Sequence, residues 1–343
     1  MGSDGVQSGV TVLAMSAIDL GSVTASADAL FADEAAHGAS LALVVMQAGQ
    51  IVFERYGRQP DTVFGAGGPV TADSTLISWS MAKSITHAAV GILVGDGRLQ
   101  LDAPAPVPSW RGTEKEAITL QHLLNMRSGL QFVEDYVDDS VSNCIEMLFG
   151  GGSDDMAAYA AALPLLHPPG AVWNYSSGTS NIISRIVGDA VGDVAGGGRE
   201  HLATFLSERL FGPAAMTSAT PKFDTAGTFV GSSYVYANAR DFARFGEMYR
   251  NDGVAADGTR VVPVGWAAHA RTFTAHDPEG LDYGAHWWMW PDFAGSFACS
   301  GYEGQRTVVL PHRELVVVHL GKCSPAQYPL LDAHLRDIFR SAS

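Results

Sequence analysis

The run Ile77-Ser78-Trp79-Ser80-Met81-Ala82-Lys83-Ser84-Ile85-Thr86-His87-Ala88-Ala89-Val90 decides how the rest of this chain is read. It continues through an apolar stretch to Gly95, and Asp96-Gly97 reads as the stop signal of a helix. On such a helix Ser80 and Lys83 lie three residues apart on one face. A serine hydroxyl is a poor nucleophile until a nearby base removes its proton. A lysine serves as that base only when burial or a neighbouring cation lowers its pKa. The apolar residues Ala88, Ala89, Val90, Ile92, Leu93 and Val94 are expected to bury the lysine stem. The spacing suggests an activated serine. Taken alone it also fits a capping serine beside a solvated lysine, so partners elsewhere in the chain must decide.

Two such partners follow. Trp173-Asn174-Tyr175-Ser176-Ser177-Gly178 is a polar turn that feeds a second apolar helix. Cys299-Ser300-Gly301-Tyr302-Glu303-Gly304-Gln305 sits between two strand-like segments near the C-terminus. The order S-x-x-K, then Tyr-Ser-Ser, then a Gly-x-x-Gly turn resembles the serine β-lactamase and penicillin-binding superfamily, in which S-x-x-K carries the nucleophile. It is most similar to the branch with class C β-lactamases, family VIII carboxylesterases and 6-aminohexanoate-dimer hydrolases. The resemblance runs from about residue 40 to the end, supported by Asp96-Gly97-Arg98-Leu99, Ile118-Thr119, Leu123-Leu124, Ser128-Gly129 and His167-Pro168-Pro169-Gly170.

Composition narrows the classes. A chain of 343 residues accommodates one large domain or two medium ones. An apolar share of 47% and a mean hydropathy near zero describe a soluble globular protein. A net charge of −15 argues against nucleic-acid binding and against docking on anionic membranes. Cys144, Cys299 and Cys323 have no metal-ligand spacing, and an odd count offers no disulfide framework. A reducing compartment fits them best. The N-terminus has neither the basic start nor the apolar core of a signal peptide, so a cytoplasmic location is expected. No cofactor is implied, and the histidines show no ligand spacing, so no metal is expected. The partner expected is a small ester or amide, and a homodimer stays open.

Strand signals cluster at both ends and helical signals lie between. Segments 41–47 and 51–56 read as a hairpin turning at Ala48-Gly49, and 284–290, 306–310 and 315–320 read as three more strands. Helices are expected at 26–37, 120–126, 144–149, 155–162, 181–191, 199–210, 239–250, 263–270 and 325–340. This pattern implies an α+β fold: one antiparallel sheet flanked by helices and interrupted by a mostly helical insert. Residues 1–25 read as a loose arm, 26–99 with 231–343 as the α/β domain, and 100–230 as the insert. The resemblance implies the same two-part layout, with the active site in the cleft between them.

Roles follow from the resemblance, residue by residue. Ser80 is the nucleophile, Lys83 its hydrogen-bond partner, and Tyr175 the phenol that shares the proton and protonates the leaving group. A phenolate beside an ammonium is plausible, because the cation favours the charged form. Where class C enzymes usually carry asparagine this chain has Ser177. The oxyanion hole is expected from the backbone N–H groups of Ser80 and Gln305. Tyr302, Glu303 and Gly304 stand where β-lactamases have Lys-Thr-Gly. The lysine that holds a drug's carboxylate is therefore missing, which argues against penicillin chemistry as the main activity. Tyr136 matches a substrate-facing tyrosine of nylon-oligomer hydrolases, and Glu134, Asp135, Asp138 and Asp139 offer charge for the amino end of an ω-amino amide. An exposed acidic loop with one aromatic anchor is the plainer reading of that segment. Arg306 offers a replacement for the lost lysine cation, with a strand-surface arginine the plainer reading, and Cys299, His167 and His286 are expected to be structural. The absence of a Gly-x-Ser-x-Gly elbow removes the α/β-hydrolase alternative. The sequence reads as a serine hydrolase of small esters or linear amides. A class C-like β-lactamase or D-alanyl peptidase, or a catalytically silent scaffold of the same fold, are the rivals.

Overall fold

A computed structural model describes residues 17–62, 65–135, 142–192, 198–278 and 280–342. Its centre is an antiparallel sheet built from β1 (Ala39–Gln47), β2 (Gln50–Tyr56), β3 (Ala275–His276), β4 (Asp282–Tyr283), β5 (Trp288–Met289), β6 (Phe297–Gly301), β7 (Gln305–Leu310) and β8 (Leu315–Lys322). The spatial order is β2-β1-β8-β7-β6-β5-β4-β3, so the N-terminal hairpin pairs with the C-terminal strand. The hairpin turns where expected. Ala48 and Gly49 both have positive φ (48° and 76°), the two-residue turn whose twist matches paired strands.

The central strands are apolar on both faces because both faces are covered. Side chains alternate along a strand. Val44, Met46, Val309, Val316 and Val318 face one core cluster, and Leu43, Val45, Val308, Leu315 and Val317 face another. The second face is covered by two helices packed together, α1 (Leu20–Ala32) and the C-terminal α5 (Tyr328–Ser341). The first face carries α2 (Ala82–Gly95) and α4 (Ala239–Arg250), with α3 (Ser177–Val191) packed on α2. Burying one Phe or Leu of these faces stabilises the fold by roughly 1.5–3 kcal/mol. α4 approaches the sheet closely at Gly246, where a Cβ would lie 2.7 Å from a Val316 methyl. Between α2 and residue 230 the described residues are mainly short helices, including Asn143–Phe149 and Met156–Ala162.

Three local readings need correction. The first helix begins at Leu20, not 26, because the Asp19 side chain accepts the Gly21 N–H at 2.9 Å and caps it. Its Gly, Ser and Thr residues are weak helix formers. Burial of Val23, Ala27 and Leu30 against α5 outweighs that propensity. The expected strand over 284–290 is broken: only Trp288–Met289 pairs with β6, and His286 has φ of 58°. Arg306 is not on the surface. It is 5% exposed, lies 3.5 Å from Asp332 of α5, and sits over the Tyr328 ring at 4.8 Å. Among the described residues, no helix is long and apolar enough to cross a membrane.

Candidate active site

Ser80 sits in a 3₁₀ turn (Trp79–Met81) that leads into α2, so its backbone N–H lies at the positive end of that helix. The turn is fixed from behind. Ser78 donates its hydroxyl to Ser233 O at 3.2 Å, and Val235 N donates to Ser78 Oγ at 3.1 Å. Trp79 has φ of 44°, an unusual conformation for a bulky residue. Its indole N–H donates to Glu303 Oε2 at 2.9 Å, and its ring meets Tyr302 edge-on at 5.9 Å. Gly301 at the end of β6 presses against this turn: a Cβ there would lie 2.4 Å from Ser78 O and 3.1 Å from the Ser80 nitrogen. Gly301→Ala must therefore displace the nucleophile's own turn. We expect ester kcat to fall roughly 10²-fold, checked by steady-state kinetics on protein whose circular dichroism is unchanged.

Lys83 is fully packed, 2% exposed, and its amine makes three contacts. Nζ lies 3.0 Å from Ser80 Oγ, 2.9 Å from Ser177 Oγ and 3.0 Å from Ser232 O. Burial lowers its pKa, the charge of Glu134 works in the opposite direction, and the net shift is downward. Tyr175 is placed by the turn before α3, whose N-cap Ser176 accepts the Thr179 N–H at 3.0 Å. The Asn174 side chain donates to Phe132 O at 3.0 Å and ties that turn to the preceding loop. The Tyr175 ring lies 4.8 Å from Lys83 Nζ. Trp173, Tyr283 and Trp288 box the ring. Burial first, then the charge of Glu134, pushes the phenol well above its ordinary pKa. A lysine pulled down and a tyrosine pushed up favour neutral amine beside neutral phenol over the ammonium–phenolate pair considered from sequence.

The structure brings Ser80, Lys83, Tyr175 and Ser177 together from two helix starts. Tyr302 lines a cavity of about 300 Å³ beside Ser80, with Trp79, Ile145, Leu148 and Phe149 as its apolar wall. Glu303, with φ of 60°, is held by Lys322 at 2.8 Å as well as by Trp79. Gly304 lies behind them, buried against Cys323 and Leu331. Gln305 is also buried behind this wall, where its side-chain amide donates to Gly321 O at 2.8 Å and accepts the Gly321 N–H at 3.1 Å. Gly301, Tyr302 and Glu303 are the residues of that turn that meet the Ser80 turn and cavity. Tyr136, Asp138 and Asp139 lie outside the described residues.

Two neighbours of the site have partners that the sequence does not name. Glu134 does not sit as a solvated acid: Oε1 accepts the Ser177 hydroxyl at 2.6 Å and Oε2 accepts the Ser177 N–H at 2.7 Å. The short Ser177 in place of the expected asparagine leaves a hydroxyl for that carboxylate to meet. His286, buried and pulled down to about 3 by burial, bridges Ser180 Oγ at 2.9 Å and Leu124 O at 2.8 Å. It is neutral and structural. Burial pushes the Cys299 thiol up to about 12, which removes it as a nucleophile. Among the described residues no cluster of side chains fits a metal ion.

A serine and a buried lysine one helix turn apart, a tyrosine from the turn before a second helix and the end of β6 beside them form one cluster against the antiparallel sheet. The chain belongs to the beta-lactamase family, whose sequence model matches residues 27–338. It is 28% identical over 267 residues to the 6-aminohexanoate-dimer hydrolase of Paenarthrobacter ureafaciens, an alignment covering 72% of this chain and 66% of the relative. The chain thus spans just under two thirds of that relative's length. Its fold is similar to a Bacillus anthracis protein provisionally named as a 6-aminohexanoate-dimer hydrolase, with a TM-score of 0.73 at 22% identity, covering 91% of this chain and 80% of that one. It is also similar to a family VIII carboxylesterase, with a TM-score of 0.70 at 16% identity, covering 94% and 98%.

Proposed function

We propose that this protein is a serine hydrolase that cleaves small neutral esters or linear amides through an acyl-enzyme. The observation that carries this reading is the 3.0 Å contact between Lys83 Nζ and Ser80 Oγ inside a buried Ser–Lys–Tyr cluster. Lys83, desolvated toward the neutral amine, takes the Ser80 proton as Oγ attacks the carbonyl carbon. The carbonyl oxygen takes the developing charge, stabilised by the Ser80 N–H. Tyr175, kept as a neutral phenol, gives its proton to the leaving oxygen or nitrogen and recovers one from Lys83. Water then attacks the acyl-enzyme and the same groups run in reverse.

The wall of the cavity argues for an uncharged acyl group. Trp79, Ile145, Leu148 and Phe149 supply apolar surface, and Phe149 is 65% exposed, free to cover a bound chain. The relative named as a dimer hydrolase supports linear amides as one substrate class. β-Lactams fit less well. Two cations flank the third motif: Lys322 is held by Glu303, and Arg306 is turned to Gly301 O, Gln305 O and Asp332, so a drug carboxylate meets charges already engaged.

The test is a hydrolysis panel of p-nitrophenyl butyrate, a linear aminohexanoate dimer and a cephalosporin. We expect turnover of the ester and measurable turnover of the amide. Cephalosporin kcat/KM is expected to be lower than that of the ester by at least about 10²-fold. A cephalosporin hydrolysed as fast as the ester would overturn the substrate assignment.

A further inference from the structure

Lys83 presents one amine to three oxygens, and two of the three contacts have a fixed sense. The Ser232 carbonyl can only accept, so it takes one Lys83 N–H. The Ser177 hydroxyl has a single proton. A carboxylate at 2.6 Å that also accepts the Ser177 N–H can only accept, so that proton is committed to Glu134. Ser177 Oγ must then accept the second Lys83 N–H. The remaining direction of the amine points at Ser80 Oγ. When Lys83 is neutral, that direction is its lone pair.

We propose that Glu134, acting through Ser177, is the positioning residue of the catalytic lysine: it locks the amine's rotation so that the lone pair faces the nucleophile. This rests on the hydrolase reading above. Glu134 comes from the loop before the Asn143–Phe149 helix, 43 residues from Ser177 in the chain, so the loop and α3 must both be in place to build the lock. Its charge has a second consequence, because it favours the protonated form of Lys83. The other groups that bear on the pair are Cys144 from that helix, Tyr175 from the α3 turn, His286 from the loop before β5, and Tyr283 of β4. Asp277, after β3, acts on Tyr175. His286 is neutral, and Tyr175 and Tyr283 are both pushed well above their ordinary range. None of these three changes charge between pH 5 and 8, where the acid limb of an amine base is read.

The sign of the pH effect follows. Activity needs the neutral amine, so the acid limb of kcat/KM reports protonation of Lys83. A nearby negative charge raises the pH at which that happens. Glu134→Gln removes the charge at constant shape and should move the limb to lower pH, by about half a pH unit or more. It should also lower kcat roughly tenfold with KM within about twofold, because the amine is no longer held in register. Ser177→Ala deletes only one hydroxyl and should lower kcat similarly. The double variant should be no worse than Ser177→Ala alone, since both break one link.

The experiment measures pH profiles for p-nitrophenyl butyrate with the wild type, both single variants and the double variant, alongside thermal melts. A limb that stays in place or moves up in folded Glu134→Gln overturns the proposal. So does a double variant whose loss is the product of the singles. If Glu134→Gln does not fold, Ser177→Ala with an unchanged kcat overturns it alone. A wild type without esterase turnover overturns the hydrolase reading and this inference together, whereas an active wild type with an unresponsive limb overturns only the inference.

Discussion

Ser80→Ala is expected to lower ester turnover by at least roughly 10⁴-fold while leaving the melting temperature within a few degrees of wild type. Among the described residues, Ser80 carries the one hydroxyl that both meets Lys83 and lines the apolar cavity. Ser84 and Ser177 cannot take over. Ser84 is turned away and donates to His286 O at 2.8 Å, and Ser177 is committed to Glu134 and Lys83. Stability should change little, because Ser80 is half-exposed and the turn is held by Ser78 instead. Steady-state kinetics with a thermal melt on the same preparation checks both halves of the expectation.

Lys83→Ala and Tyr175→Phe are expected to lower kcat by roughly 10²–10⁴-fold each, the range for general acid–base groups. The two losses should not multiply. Once Lys83 cannot take the Ser80 proton, a phenol has no alkoxide-driven intermediate to protonate, so removing it afterwards costs little more. The variants differ in stability. Tyr175→Phe keeps the ring that Trp173, Tyr283 and Trp288 enclose and loses one hydroxyl. Lys83→Ala leaves a void and deprives Ser232 O and Ser177 Oγ of their donor, a change that typically costs about 1–3 kcal/mol per unsatisfied buried group. A double variant that loses the product of the two single effects would show that Lys83 and Tyr175 do not share one proton.

The Ser80–Lys83–Tyr175 cluster was legible in the sequence because each member sits beside a local signal. Ser80 and Lys83 share a helix turn, and Tyr175 precedes an N-cap serine that opens the next helix. The sheet was legible for a related reason: strands buried on both faces read as continuous Val and Leu runs. What the sequence concealed depends on contacts between distant segments. Glu134 reads as one acid among several until the loop folds against Ser177. The Glu303–Lys322 pair joins a turn to the last residue of β8, and nothing in the turn itself names its partner. Arg306 alternates into the face covered by α5, where Asp332 meets it, and α5 reads from sequence only as a helix. His286 broke an expected strand because Ser180 and Leu124 hold it, one from α3 and one from a short helix. The helix at Leu20 was missed for a different reason, since its cap is local but its stability comes from α5.

The central claim is that Ser80 carries the acyl group, and intact-protein mass spectrometry followed by peptide mapping after reaction with a fluorophosphonate tests it most directly. The account predicts a single phosphonate adduct on the peptide containing Ser80, absent in Ser80→Ala and slowed in Lys83→Ala. An adduct on Ser84 or Ser177, or labelling that persists in Ser80→Ala, would contradict it.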